Sequence, residues 1–359
     1  MSTSASDLAI SPTSTLHPSE RSVPTSECGC TVAEPRVGVV DGLSTENFSS
    51  ATTGILNTLA WTENSFTITN VILASLGPFR YRLSFCDTFL CGFAGLTLGS
   101  LSVAFISTLT PKIGRHTSFP NHHVMGSVPA RVFALLKSIT TLGMLGIELI
   151  AAGQILSGAV APAVIRVSIA IVASACVAGI ILILGIKRIY PHSALCAQIV
   201  ALFILSSVVT SRSVPPQMRS SSDLGGAEDK LLLGHRISFF TLCVARAMIY
   251  APFATAAGKL GRKTKNSGVV FMQSLLGMSL SFAFTFVVGA AMGAKADAMI
   301  SWRQAYGDSI GTLIAEILQP TGTMLRISCG QMFVLGLIQN IIRSMHNILS
   351  DWYALPIID

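Results

Sequence analysis

Long apolar stretches alternate along this chain with short polar, mostly basic ones. Residues 89–109, 167–186 and 268–294 contain no charged side chain. Each is long enough to cross the roughly 30 Å hydrocarbon core of a bilayer as a helix. The run 193–211 is also uncharged but shorter. Two further runs hold one ionisable residue each, Glu148 in 138–161 and Arg246 in 237–258, and 324–342 is moderately apolar with Arg326 near its start. These seven stretches predict crossing helices. An eighth, 51–77, is richer in Thr and Asn and contains Glu63, so it reads either as a crossing or as an interfacial helix. The run 309–319 is too short to cross and reads as re-entrant or interfacial. Backbone amides in lipid must bond within their own segment. The pattern therefore predicts an all-α, polytopic transmembrane helix bundle of about 7–8 helices, occupying 51–345 and followed by a short tail at 346–359.

Composition removes the main competing class. Apolar residues make up 51% of the chain and charged residues 11%, with a mean hydropathy of +0.64. A soluble domain carries about 25% charged residues, so these side chains are expected to meet lipid or one another. Residues 1–50 differ from the rest. Ser, Thr and Pro dominate there, and two arginines face six acids, a net charge of −4. Such a segment buries too little apolar surface to offset its ordering entropy and reads as a disordered tail. It has no basic stretch leading into an apolar one, so it does not read as a secretory signal.

The chain carries a net charge of +7, but its cations sit in turns between apolar runs rather than along a polar fold, which argues against nucleic acid. Ten of them (Lys112, Arg115, Arg131, Lys137, Lys187, Arg188, Lys259, Arg262, Lys263 and Lys265) fall in loops on one face, with no acid among them. The opposite loops hold Arg166, Arg212, Arg219, Lys230 and Arg236, diluted by Asp223, Glu228 and Asp229. The positive-inside rule makes the first face cytoplasmic, where basic loops would meet anionic lipid. If 51–77 crosses, the tail is cytoplasmic too. The sequon Asn47-Phe48-Ser49 would matter only for an exported tail.

Two turns look alike. Lys112-Ile113-Gly114-Arg115-His116-Thr117 closes one apolar run and Lys259-Leu260-Gly261-Arg262-Lys263-Thr264 closes another. Glycine suits a sharp turn, and cations suit the carbonyl end of a helix. A pair of snorkelling basic turns would look the same. Read as an internal repeat, the pair resembles the signature loop of the major facilitator superfamily, G-x-x-x-D-[R/K]-x-G-[R/K]-[R/K]. Lys259, Gly261, Arg262 and Lys263 match its second part, and Lys112, Gly114, Arg115 and His116 match more loosely. Gly258 and Pro111 stand where the family has its acid, Ala254 and Ser107 where it has its leading Gly. Four crossings separate the loops where the family has six. The resemblance implies a transporter-like protein or a degenerate descendant that no longer transports. Multi-pass envelope proteins of herpesviruses resemble degenerate transporters in the same way.

Ionisable groups inside crossings are costly and mark functional positions. Glu148 and Arg246 are the two most central. They are expected to meet across the bundle, with Gln154 and Gln273 adding hydrogen bonds in a shared substrate cavity. A mutually neutralising structural pair would explain them equally well. The spacings Gly95-x-x-x-Gly99 and Gly289-x-x-x-Gly293 predict close helix packing within the chain. Six of the eight cysteines lie in or beside apolar runs, where Cys packs as a small hydrophobe. Cys28-x-Cys30 has no second pair at zinc spacing, and His116, His122 and His123 have no neighbouring acid or thiol, so no metal site is expected. Hydrolase, metalloprotease and nucleotide-loop signatures are missing. Neither enzyme nor cofactor is expected.

The partners expected are the bilayer, a small-molecule solute, and proteins recruited through the N-terminal tail. The rival reading is a non-transporting structural or interaction protein of a membrane, of viral envelope or pathogen type. A transporter should hold Glu148 or Arg246 in a polar centre; the rival should turn both towards an interface.

Overall fold

The structure, a computed structural model, describes residues 50–113, 127–160, 166–184, 190–212, 226–251, 254 and 267–354. The 1–49 segment lies outside the described residues. So do Gly114, Arg115 and His116, and Lys259, Gly261, Arg262 and Lys263 of the two turns. Lys112 sits in the last turn of a described helix.

The described residues fold as helices: α1 (Ser50–Ser65), α2 (Ile68–Tyr81), α3 (Phe85–Ile113), α4 (Ser127–Ile155), α5 (Val167–Leu184), α6 (Tyr190–Ser211), α7 (Gly226–Met248), α8 (Ser267–Ala298), α9 (Ile300–Asp308), α10 (Ile310–Leu318) and α11 (Thr323–Ala354). A π-helical turn, Leu156–Val160, continues α4. Seven helices are long and apolar enough to cross a membrane: α3, α4, α5, α6, α7, α8 and α11. They coincide with the seven stretches read from the sequence. The protein is a multi-pass α-helical membrane protein. Large apolar side chains face outward along α4 and α5, with Ile183 84% exposed, which suits contact with lipid and would be untenable in water.

The 51–77 stretch is broken into two shorter helices, α1 and α2, that run alongside α8. A Cβ on Gly277 would lie 2.6 Å from Thr58 O, and one on Gly289 would lie 2.2 Å from Val71 O. At Gly293 the nearest atom is Ser75 O, at 2.5 Å. Residues 58 to 75 therefore run along α8 in the same direction as 277 to 293, so α1 and α2 together accompany a crossing helix. Other contacts give the same parity. On α3, Gly95 and Gly99 meet Phe240 and Ala247 of α7 in parallel order, whereas Gly92 and Ser107 meet Phe286 and Ser274 of α8 in antiparallel order. Parallel and antiparallel neighbours fall where they must if the α1–α2 pair is the first of eight crossings.

Two apolar clusters fill the interior. One gathers Trp61, Leu73, Leu96, Phe239, Met278 and Phe286 from α1, α2, α3, α7 and α8. The other gathers Phe66, Ile155, Leu202, Leu313, Phe333 and Ile341, among others, from the helix break, α4, α6, α10 and α11. The stretch read as too short to cross is α10. Its Ile310, Leu313, Ile314 and Ile317 are buried, and Gly158 of the π turn packs on its Gly311–Thr312 backbone. The α9–α10 hairpin is thus a packed cap between α8 and α11.

Candidate functional site

The break between α1 and α2 begins as a competition for backbone carbonyls. Thr58, Thr62 and Ser65 each donate a hydroxyl to the carbonyl four residues back, at 3.2, 3.0 and 2.8 Å, a habit that bends helices. Thr67 then leaves helical geometry (φ −135°, ψ 145°) and caps α2, its side chain accepting from Thr69 N at 3.0 Å. The cap leaves Ser65 O without its helical donor. The Asn70 side chain supplies one, Nδ2 donating to Ser65 O at 2.6 Å. The carbonyl end of α1 and the amide end of α2 thus meet inside the bundle, as in discontinuous transporter helices.

Charged and polar side chains from three other helices converge there. Arg246 of α7 donates from Nε to Asn70 Oδ1 at 2.9 Å and from Nη2 to Tyr250 Oη at 3.0 Å. Its guanidinium also lies 5.2 Å from the Tyr250 ring centroid, a cation–π distance. Tyr250 reaches this position because α7 ends at Met248 in a turn, with Tyr250 N bonded to Ala247 O. The third donor, Nη1, points at Met144 Sδ of α4, 3.4 Å away. Glu148 is one helical turn beyond Met144 on the same face. Its Oε2 is buried without a hydrogen-bond partner among the described residues. From α11, Arg343 donates to Glu63 Oε1 at 2.6 Å and to Asn64 Oδ1. Asn340, one turn before Arg343, has its Nδ2 buried and unpartnered among the described residues.

Glu148 and Arg246, the two positions singled out from the sequence, therefore share one polar centre, 5% and 6% exposed respectively. The two glutamines stand apart. Gln273 accepts from Asn57 at 3.0 Å midway along α1, and the Gln154 backbone packs against Gly311 of α10. Asn70, Tyr250, Asn340 and Arg343 escaped the sequence reading, and Glu63 was noted there only as a charge within 51–77. Of the break itself, Thr67 carried a local signal, a cap residue ahead of an apolar run.

Two curated proteins resemble the chain across most of its length. It is 24% identical over 320 residues to purine-cytosine permease FCY2 of Saccharomyces cerevisiae, an alignment covering 84% of this chain and 57% of that protein. It is 25% identical over 279 residues to purine-cytosine permease FCY21 of the same yeast, covering 74% of this chain and 50% of that one. The chain spans about half the length of these relatives. No protein-family model matches it, and no solved structure does. The relatives are permeases rather than enzymes, and a transporter-like membrane protein is what sequence and helices jointly describe. The turns that carry the major facilitator resemblance lie outside the described residues, apart from Lys112.

Proposed function

We propose that the chain transports a small, planar, polar solute, and that the solute binds beside the α1–α2 break among Glu148, Arg246, Tyr250 and Asn340. The observation that carries this reading is that Glu148 Oε2, on the α4 face that meets Arg246, is buried and unpartnered among the described residues, as is Asn340 Nδ2 one turn before Arg343 on α11. Buried polar groups are normally satisfied. An acceptor and a donor left over beside a helix break suit a ligand that brings a donor and an acceptor of its own. The edge of a purine or a cytosine is such a ligand, and the relatives' names support that class. The rival structural reading expected Glu148 and Arg246 at an interface, and it draws no support from their burial. The basic turns are read as cytoplasmic and available to anionic lipid, and the N-terminal tail as a docking segment for proteins.

The test is uptake by liposomes containing the purified chain, using labelled cytosine, adenine, hypoxanthine and uracil, with a hexose as control. Saturable uptake of at least one base, without the hexose, is expected. A flat response to every base would end the proposal.

A further inference from the structure

We propose that Asn70 is a positioning residue that makes the helix break and the Arg246 guanidinium a single mechanical unit, a role that rests on the transport reading above. Its side chain spends both ends of one amide. The Nδ2 end replaces the main-chain donor that Ser65 O lost when Thr67 capped α2, at 2.6 Å. The Oδ1 end accepts from Arg246 Nε, at 2.9 Å. The same Nδ2 lies 3.5 Å from Tyr250 Oη, the group that Arg246 Nη2 contacts. Asn70 is fully buried, so no water competes for either end.

Chemistry at this position is narrow. An aspartate would accept from Arg246 but bring a carboxylate, with no donor, against Ser65 O. A leucine of similar size would serve neither. A serine offers one oxygen where two separated polar atoms are needed. The geometry also dictates a direction of influence. Arg246 keeps two donors for Tyr250 and the Met144 side, next to Glu148, while its Nε is committed to the break. A solute that pulls on the far side of the guanidinium must pull on Asn70, and through it on the end of α1. Reorientation of α1 against α2 must in turn shift Arg246.

A double-mutant cycle on the purified full chain tests this: Asn70→Leu, Arg246→Met and the two combined. In thermal unfolding in detergent, the losses should be non-additive, because each single substitution already strips the other of its partner. In uptake of the transported base, Asn70→Leu should raise the half-saturation concentration at least about tenfold, as loss of one charge-assisted hydrogen bond would. Asn70→Asp, which keeps the acceptor for Arg246, should return half-saturation to within about threefold of wild type while the maximal rate stays depressed. The aspartate variant is isosteric, so the split between affinity and rate remains readable if the leucine variant is not recovered.

Additive unfolding losses would overturn the coupling. An aspartate variant as poor as leucine in both parameters, or equal to wild type in both, would overturn the two-ended role. If wild type takes up no base, the transport reading fails on its own, and the unfolding cycle still decides whether Asn70 and Arg246 act together.

Discussion

Arg246 is a buried cation whose hydrogen-bond partners among the described residues, Asn70, Tyr250 and Met144, are neutral. Glu148 stands one helical turn beyond Met144 on α4, with its Oε2 buried and unpartnered among the described residues. A purely structural pair would be expected to close into a direct ion pair, as Arg343 does with Glu63 at 2.6 Å, because an incompletely paired buried charge costs several kcal/mol. The opening suits a site that a ligand completes. Glu148→Gln should therefore lower uptake at least about tenfold, worth about 1.4 kcal/mol, and Arg246→Ala should abolish it. Full uptake by both variants in the liposome assay would remove the site. These two residues were legible because a charge amid apolar residues is conspicuous. Asn70 was not, since it sits in a segment already rich in Thr and Asn, and its importance comes from a carbonyl freed five residues earlier. Gln154 and Gln273 looked equivalent in sequence, but their neighbours lie elsewhere in the bundle.

At the scale of elements, crossings were easy to read and their partners were not. Small-residue spacing announced that Gly95, Gly99, Gly289 and Gly293 would admit a neighbouring backbone, without naming it. The neighbour of the first pair is α7, and that of the second is α2. No hydrophobic driving force favours helix over lipid here, so close packing of this kind carries association. Gly289→Ala would force a methyl to 2.2 Å from Val71 O. Backbone cannot yield as a side chain can, so α2 must move off α8. The expected cost is about 1–3 kcal/mol, seen as earlier unfolding in detergent. Gly143 on α4 provides the contrast, because an added Cβ there meets nothing within 4 Å. Gly143→Ala should change stability by no more than about 0.5 kcal/mol. Equal effects at the two sites would mean that the α2–α8 seam does not hold the bundle. The break at Phe66–Thr67 was less legible, because hydroxyl bonding to preceding carbonyls and a mid-segment cap leave only a diffuse excess of Ser and Thr.

For the whole molecule, the decisive feature is parity. The α1–α2 pair runs parallel to α8, so an even number of crossings separates their starts, and Ser50 and Ala354 lie on the same face. The ends of α3, α5 and α7 belong to that face, and in the sequence each is followed by a basic turn. We propose that this side is cytoplasmic, as the positive-inside rule reads the basic turns in the sequence, and that the N-terminal tail is cytoplasmic too. Two native thiols, Cys28 and Cys30, report on the tail directly. In a variant with the other six cysteines replaced by serine or alanine, an impermeant maleimide should label the tail only after the membrane is permeabilised. Adding Arg303→Cys on α9, whose side chain is exposed, should create a site labelled in intact cells. Asn47 should carry no glycan in either variant. Tail labelling in intact cells, or a glycan at Asn47, would invert the molecule. Solute entering the break from the α9–α10 side would then be leaving the cell rather than entering it.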